Sequence, residues 1–325
     1  MTQASPILSS AILNGDGSAQ IVNEQQLITA LQDDRVAWVH LDGNHNLTRD
    51  WLKTNVSYLD RIILNGLLAP ETRPRLAETG NGSLIILRGV NLNEGEDPSD
   101  MISIRLWVDK ERIITISRRP LKAVQDIQER LKNEEGPKNS GEFVTLLAQR
   151  LFERMEPILT DLDDQIDIIE ETILENPTPR ERSKIVEVRK KAILYRRYIS
   201  PQKEVMNHLR LLDQPWLESA QKRYIQEGLD RNIRYVEDLD AMRERAQVIK
   251  DELANMLSDR LNKNLYILSV ISAIFLPLGF FTGLMGINIG GMPGVENNNA
   301  FWIFSGALII IVIMQMVVFK KLKWF

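Results

Sequence analysis

The 325-residue chain contains no cysteine and only three histidines, His40, His45 and His208. Without thiols, disulfides, thiolate metal ligands and cysteine nucleophiles are excluded together. With so few histidines, the usual ligands cannot build a tight cage for a soft metal. The phosphate-cradling signals are missing too, since neither the G-x-G-x-x-G nor the P-loop spacing occurs where strands are expected. The opening residues, MTQASPILSSAILNGDG, have no basic n-region and soon become polar, so no signal peptide or transit sequence is expected. Nor is there an excess of positive charge: 40 Lys and Arg against 44 Asp and Glu leave a net −4, which weighs against nucleic acid as a partner. No nucleophile–base set is evident, and a zinc hydrolase would need three convergent ligands and an open position. His40 and His45, in HLDGNH, read as strand and turn residues rather than ligands. The chain is expected to be neither an enzyme nor the holder of a cofactor.

Long apolar runs are scarce, but two stand near the C-terminal end. Residues 265–285 (LYILSVISAIFLPLGFFTGLM) and 301–319 (FWIFSGALIIIVIMQMVVF) carry no charge. At 1.5 Å per residue the first would be about 31 Å long, one hydrocarbon thickness. Uncharged helices of that length rarely follow one another in a soluble fold. The loop between them, 288–299, has no Lys or Arg and a single acid, Glu296. Basic residues flank the pair on the outside: Arg260 and Lys263 before it, Lys320, Lys321 and Lys323 after it. The positive-inside rule then puts both termini in the cytoplasm, along with everything before the first span.

Three regions follow from the pattern. Residues 1–140 read as a cytosolic α/β domain, with strands at 37–41, 83–90, 102–108 and 112–117 and helices at 47–55 and 121–131. EGPKNSG, 135–141, reads as a linker. Residues 141–264 read as a stalk of long helices, and 265–325 as the transmembrane part, giving an α+β class overall. Met155, Leu159, Leu162, Ile166, Ile169 and Ile173 alternate at four and three, a coiled-coil seam. The other faces of that helix are acidic, with Asp161, Asp163, Asp164, Asp167, Glu170 and Glu171. ENPTPRERS breaks the helix, with Thr178 or Ser183 available as caps. The returning helix carries Arg189, Lys190, Lys191, Arg196 and Arg197, expected to pair with the acids across a hairpin. The alternative is a basic collar near the membrane that holds lipid headgroups or tunes the local cation concentration. A third helix, starting near Leu217, keeps a seam through Leu229, Ile233, Val236, Leu239, Met242, Ala246, Ile249, Leu253 and Met256 and runs on into the first span.

Two spans per chain enclose no lumen, so a conducting protein of this layout must be a homo-oligomer with one helix per copy lining the path. The first span suits that role. One stripe along it holds Leu265, Leu268, Ser272, Leu276, Gly279, Gly283 and Gly286, whereas the second span is apolar all round. The competing use of such small residues is tight helix packing. Pro277 frees a backbone carbonyl inside the span, which is tolerated where protein or water can satisfy it. Just past the liner comes GLMGINIGGMPG, 283–294. A ring of Asn288 side chains there would offer neutral amide oxygens, which suit a hydrated divalent cation held through its waters.

Gly286-Ile287-Asn288 resembles the Gly-Met-Asn signature of CorA-type divalent cation transporters, in the same two-span C-terminal layout. Together with PETRPRL (70–76), SLIILRGVN (83–91) and WVHLDG (38–43), the Gly-Ile-Asn variant resembles the zinc-transporting ZntB branch. Magnesium members usually have Gly-Met-Asn and an acidic residue after the loop proline, where this chain has Gly294. The resemblance implies a funnel-shaped homopentamer in the inner membrane. It also implies Zn²⁺ transport, coupled to protons, with Gly286, Ile287 and Asn288 as the outer-mouth motif. Two other readings remain open: a CorA-like Mg²⁺ or Co²⁺ channel, and a membrane-anchored coiled-coil scaffold that conducts nothing.

Overall fold

The computed structural model describes residues 5–286, 294 and 296–321. The chain divides into two compact units, Met1–Asp251 and Glu252–Phe325. The first is built on a seven-stranded mixed sheet, in the order β2-β1-β3-β7-β6-β5-β4. Its strands are β1 (Ile7–Leu13), β2 (Ala19–Ile21), β3 (Ala37–Asp42), β4 (Arg75–Thr79), β5 (Gly82–Gly89), β6 (Ile102–Val108) and β7 (Arg112–Ser117). Neighbours are antiparallel except β3 and β7, which run parallel with Ala37 opposite Arg112 and Asp42 opposite Ser117. The four strands expected from β-branched and aromatic runs are β3, β5, β6 and β7, displaced by a residue at most. β1, β2 and β4 were not expected. β4 reads RLAET and is an exposed edge, and β2 is three residues long, so neither has an apolar rhythm to read.

Helices cover both faces of the sheet. On one side lie α1 (Glu24–Ala30), α2 (Thr48–Asn55) and α3 (Arg61–Leu68). Leu27, Leu52, Ile63 and Leu67 join Val39, Leu41, Ile114 and Ile116 in one buried cluster. Each large apolar side chain so buried contributes roughly 1.5–3 kcal/mol. The unexpected helices α1 and α3 start on side-chain caps. Asn23 accepts from Gln26 N while the Gln26 side chain accepts from Asn23 N, and Asp60 accepts from Ile63 N at 2.8 Å. On the other face α4 (Lys122–Lys132) is followed by α5 (Ser140–Glu153), whose Phe143 packs on Trp38 with ring centroids 5.2 Å apart.

The 135–141 stretch is no slack linker. Gly136 N donates to Gly17 O at 2.8 Å, Asn139 caps α5 by accepting from Glu142 N, and buried Ser140 donates to Lys110 O. These bonds tie the segment to the sheet domain.

The long helices are α6 (Glu156–Glu175), α7 (Glu181–Leu211) and α8 (Ser219–Met285). Every residue of the expected α6 seam is buried, from Met155 to Ile173. The α8 seam is shifted in one stretch. Asn232 and Tyr235 are buried there in place of Ile233 and Val236, and Tyr235 donates to Phe152 O. The α6–α7 turn has no side-chain cap of the kind expected: Thr178 contributes its backbone carbonyl to Glu181 N, and the Ser183 hydroxyl donates back to Arg180 O. The charge pairing also differs. Arg245 of α8, not the basic stretch of α7, meets the α6 acids, at 2.6 Å from Asp167 and in contact with Glu170. Arg196 of α7 reaches Asp240 of α8 at 2.7 Å. Among the described residues no ion pair joins α6 to α7. Both turn to α8 instead, because the third helix of the bundle lies within reach of the charged flanks of each seam.

Candidate functional site

The second unit contains the apolar end of α8 and α9 (Ala300–Lys321). Both helices are long and apolar enough to cross a membrane. Their large side chains are bare: Leu276 is 78% exposed and Trp302 73%. A core helix of a soluble protein would bury such residues, so this surface requires lipid or further protein.

Pro277 sits inside α8 and donates no backbone hydrogen bond, which leaves the carbonyl four residues back, Ala273 O, without its helical partner. Gln315 of α9 supplies one. Its Nε2 donates to Ala273 O at 3.2 Å. The amide thus closes the gap that proline opens and ties the two helices together. Sequence reading foresaw the freed carbonyl but treated the second span as featureless, missing Gln315. Its signal was present all the same, as a lone amide in an otherwise apolar run. Two hydroxyls of the first span are satisfied within their own helix: Ser269 donates to Leu265 O at 2.8 Å and Thr282 to Leu278 O at 2.9 Å. Such internal bonds let polar side chains sit in an apolar segment.

The expected liner residues Leu265, Leu268, Ser272, Leu276, Gly279, Gly283 and Gly286 are all exposed in the single chain. A side chain added at Gly279 or Gly283 would meet no atom within 4 Å. The partly covered residues of this stretch are Ala273, Ile274, Pro277 and Leu278, the side on which Gln315 makes its bond. The stripe is therefore free for a neighbour, a path or lipid. Gly286 ends α8, its N–H donating to Thr282 O at 3.0 Å. Ile287 and Asn288 lie outside the described residues. Glu296 is exposed, next to Asn297 and Asn299, whose backbone carbonyls accept from Ala300 N and Ile303 N at the start of α9.

All three histidines belong to the first unit. His40 is buried in β3, its ring nitrogens 2.9 Å from Thr115 Oγ1 and 3.3 Å from Ser117 Oγ. Burial pushes its pKa down to about 4. His45 occupies the turn after β3, accepting at Nδ1 from Leu47 N. Among the described residues no group of three or more His, Asp or Glu could hold a metal ion.

Comparison with known proteins agrees with that architecture. The family model described as CorA-like Mg²⁺ transporter protein matches residues 33–321. The divalent cation transporter CmaX of Pseudomonas aeruginosa is 34% identical over 96% of this chain and 95% of its own. The zinc transport protein ZntB of Yersinia enterocolitica is 31% identical over 99% of this chain and 97% of its own. The solved structure of full-length CmaX superposes with a TM-score of 0.86 at 32% identity, covering 100% of both chains. The chain belongs to the CorA family of divalent-cation transporters, not to any family of enzymes.

Proposed function

We propose that this divalent-cation transporter carries Zn²⁺, coupled to protons, through the centre of a homopentamer in the inner membrane. In this reading residues 1–140 form the cytosolic mouth, 141–264 the stalk and 265–325 the membrane part, with both termini in the cytosol. The path is lined by Leu265, Leu268, Ser272, Leu276, Gly279 and Gly283. Gly286, Ile287 and Asn288 crown its outer end, with Glu296 in the external loop. The observation that carries the reading is the bare small-residue stripe of α8 leading to Gly-Ile-Asn, in a chain that matches ZntB over nearly its whole length. Two helices cannot surround a path, so an exposed stripe of this kind finds its use in a ring. The rival, a Mg²⁺ or Co²⁺ channel of the same design, draws on the family description.

The amide of Asn288 is the testable element. Asn288→Ala removes the ring's acceptors, and an incoming hydrated cation loses the hydrogen bonds that offset its entry into a narrow mouth. Asn288→Ala should cut divalent flux at least ten-fold while expression and oligomer size stay normal. Asn288→Gly is the sharper variant, because glycine serves a left-handed helix cap as well as asparagine but has no side-chain oxygen. Zn²⁺ flux at parental rates through Asn288→Gly would sink the filter role.

A further inference from the structure

The sheet unit gathers arginines at one end. β3 and β7 run parallel and finish there, β5 finishes there, and antiparallel β6 begins there. Arg88 therefore stands opposite Ser103, and Ile104 opposite Ser117, with Arg118 and Arg119 just beyond. The result is a cleft of about 590 Å³ lined by Arg73, Arg88, Arg118, Arg119, Arg197 and Tyr198. Only two acids line it, Glu71 and Asp100. Asp100 is engaged by Arg119 at 2.7 Å, and Glu96 engages the same guanidinium.

The other guanidinium groups bond to groups that cannot neutralise them. Arg88 donates to Met101 O and Thr72 O, and Arg118 to Leu68 O. Arg105, 1% exposed on β6, donates to Ala69 O at the end of α3. Carbonyls at a helix end supply part of a negative charge, not a whole one. Arg105 Nε and Nη1 and Arg88 Nε are buried with no hydrogen-bond partner. Burial first, and then the nearby charges of Arg118 and Arg88, push the Arg105 pKa down to about 10. Arg88 also lies over Tyr198, 4.2 Å from the ring centroid. Arg73 and Arg197 are exposed and have no acid within ion-pair distance. A chain of net charge −4 thus sets five arginines against Glu71 and Asp100 in the lining of one walled space.

We propose that this cleft binds a phosphate-bearing anion, held by the guanidinium groups of Arg73, Arg118 and Arg197. Guanidinium forks match phosphate oxygens in pairs, and several around one cavity favour a multiply charged group over chloride. The cleft is built entirely within the first unit, and the proposal does not rest on the identity of the transported ion. A soluble phosphate compound and the headgroup of an anionic lipid share this chemistry, and the proposal is for the soluble compound.

The test is calorimetry on the full chain in phosphatidylcholine nanodiscs, with EDTA and 150 mM KCl, titrating inorganic pyrophosphate and then inorganic phosphate. One saturable pyrophosphate site per chain is expected, tighter than that for phosphate. Arg73→Gln with Arg197→Gln should weaken it at least ten-fold, with the melting temperature checked in parallel. Asp100→Asn removes an acid from the lining and should tighten binding several-fold, an arm that does not depend on the double variant folding. Absence of saturable binding, or affinity unchanged in both variants, overturns the proposal. Pyrophosphate binding that is present in phosphatidylcholine and lost when phosphatidylglycerol replaces it assigns the cleft to lipid and overturns the soluble-ligand form.

Discussion

His40 and Gln315 are single residues with measurable consequences. His40 is buried as the neutral imidazole, with a folded pKa of about 4 against about 6.5 when unfolded. Between those values the unfolded chain binds a proton that the folded chain does not. Stability should therefore fall as pH drops from about 6.5 to about 4, and His40 should add no pH dependence above that window. The full swing is on the order of 3 kcal/mol. Thermal melts between pH 7.5 and 5 should show this slope, and His40→Gln should flatten it; an unchanged slope would clear His40 of the effect. Gln315 answers to Pro277. Gln315→Leu leaves Ala273 O unpaired in an apolar segment and should cost about 1 kcal/mol. In a Pro277→Ala background the helix supplies its own N–H to that carbonyl, so the same substitution should cost close to nothing. A double-mutant cycle by unfolding in mild detergent measures the difference, and equal costs in both backgrounds would show that the two residues are not coupled. His40 was legible in sequence as a strand residue because it sits in an apolar run. The Gln315 bond was not, since finding it means pairing a proline with the carbonyl four residues earlier and then with another helix.

Among the elements, those written in apolar rhythm were legible and those written in charge or capping were not. β3, β5, β6 and β7, the α6 seam and unbroken α8 follow from spacing. The edge strands β2 and β4 follow from partners distant in the chain, and the α1 capping box depends on two side chains whose roles need the structure. Charge misled at the hairpin. Acids on α6 and bases on α7 suggested a two-helix pairing, yet each seam also has a third neighbour, and Arg245 and Asp240 of α8 take up the charges. Within α8 the stripe separates its two possible uses. Gly283→Leu should assemble normally and lose at least ten-fold in flux if the stripe lines a path. If the glycines serve packing, the same variant should fall apart on native mass spectrometry. An assembled, fully conducting Gly283→Leu would exclude both uses at that position.

At the scale of the whole molecule, α8 runs from the sheet-containing unit into the unit that holds the two bare apolar segments. The membrane helices leave exposed the surface that a monomer in water could not tolerate. The layout and the matches along almost all of the chain give a divalent-cation transporter. Zn²⁺ transport coupled to protons is the central proposal for this protein. The most direct measurement is uptake of radiolabelled Zn²⁺ and Mg²⁺ into proteoliposomes of the purified full chain, with and without an imposed pH gradient. The account predicts saturable Zn²⁺ uptake that exceeds Mg²⁺ uptake and rises several-fold with the gradient. Mg²⁺ uptake equal to or faster than that of Zn²⁺, with no response to pH, would contradict it.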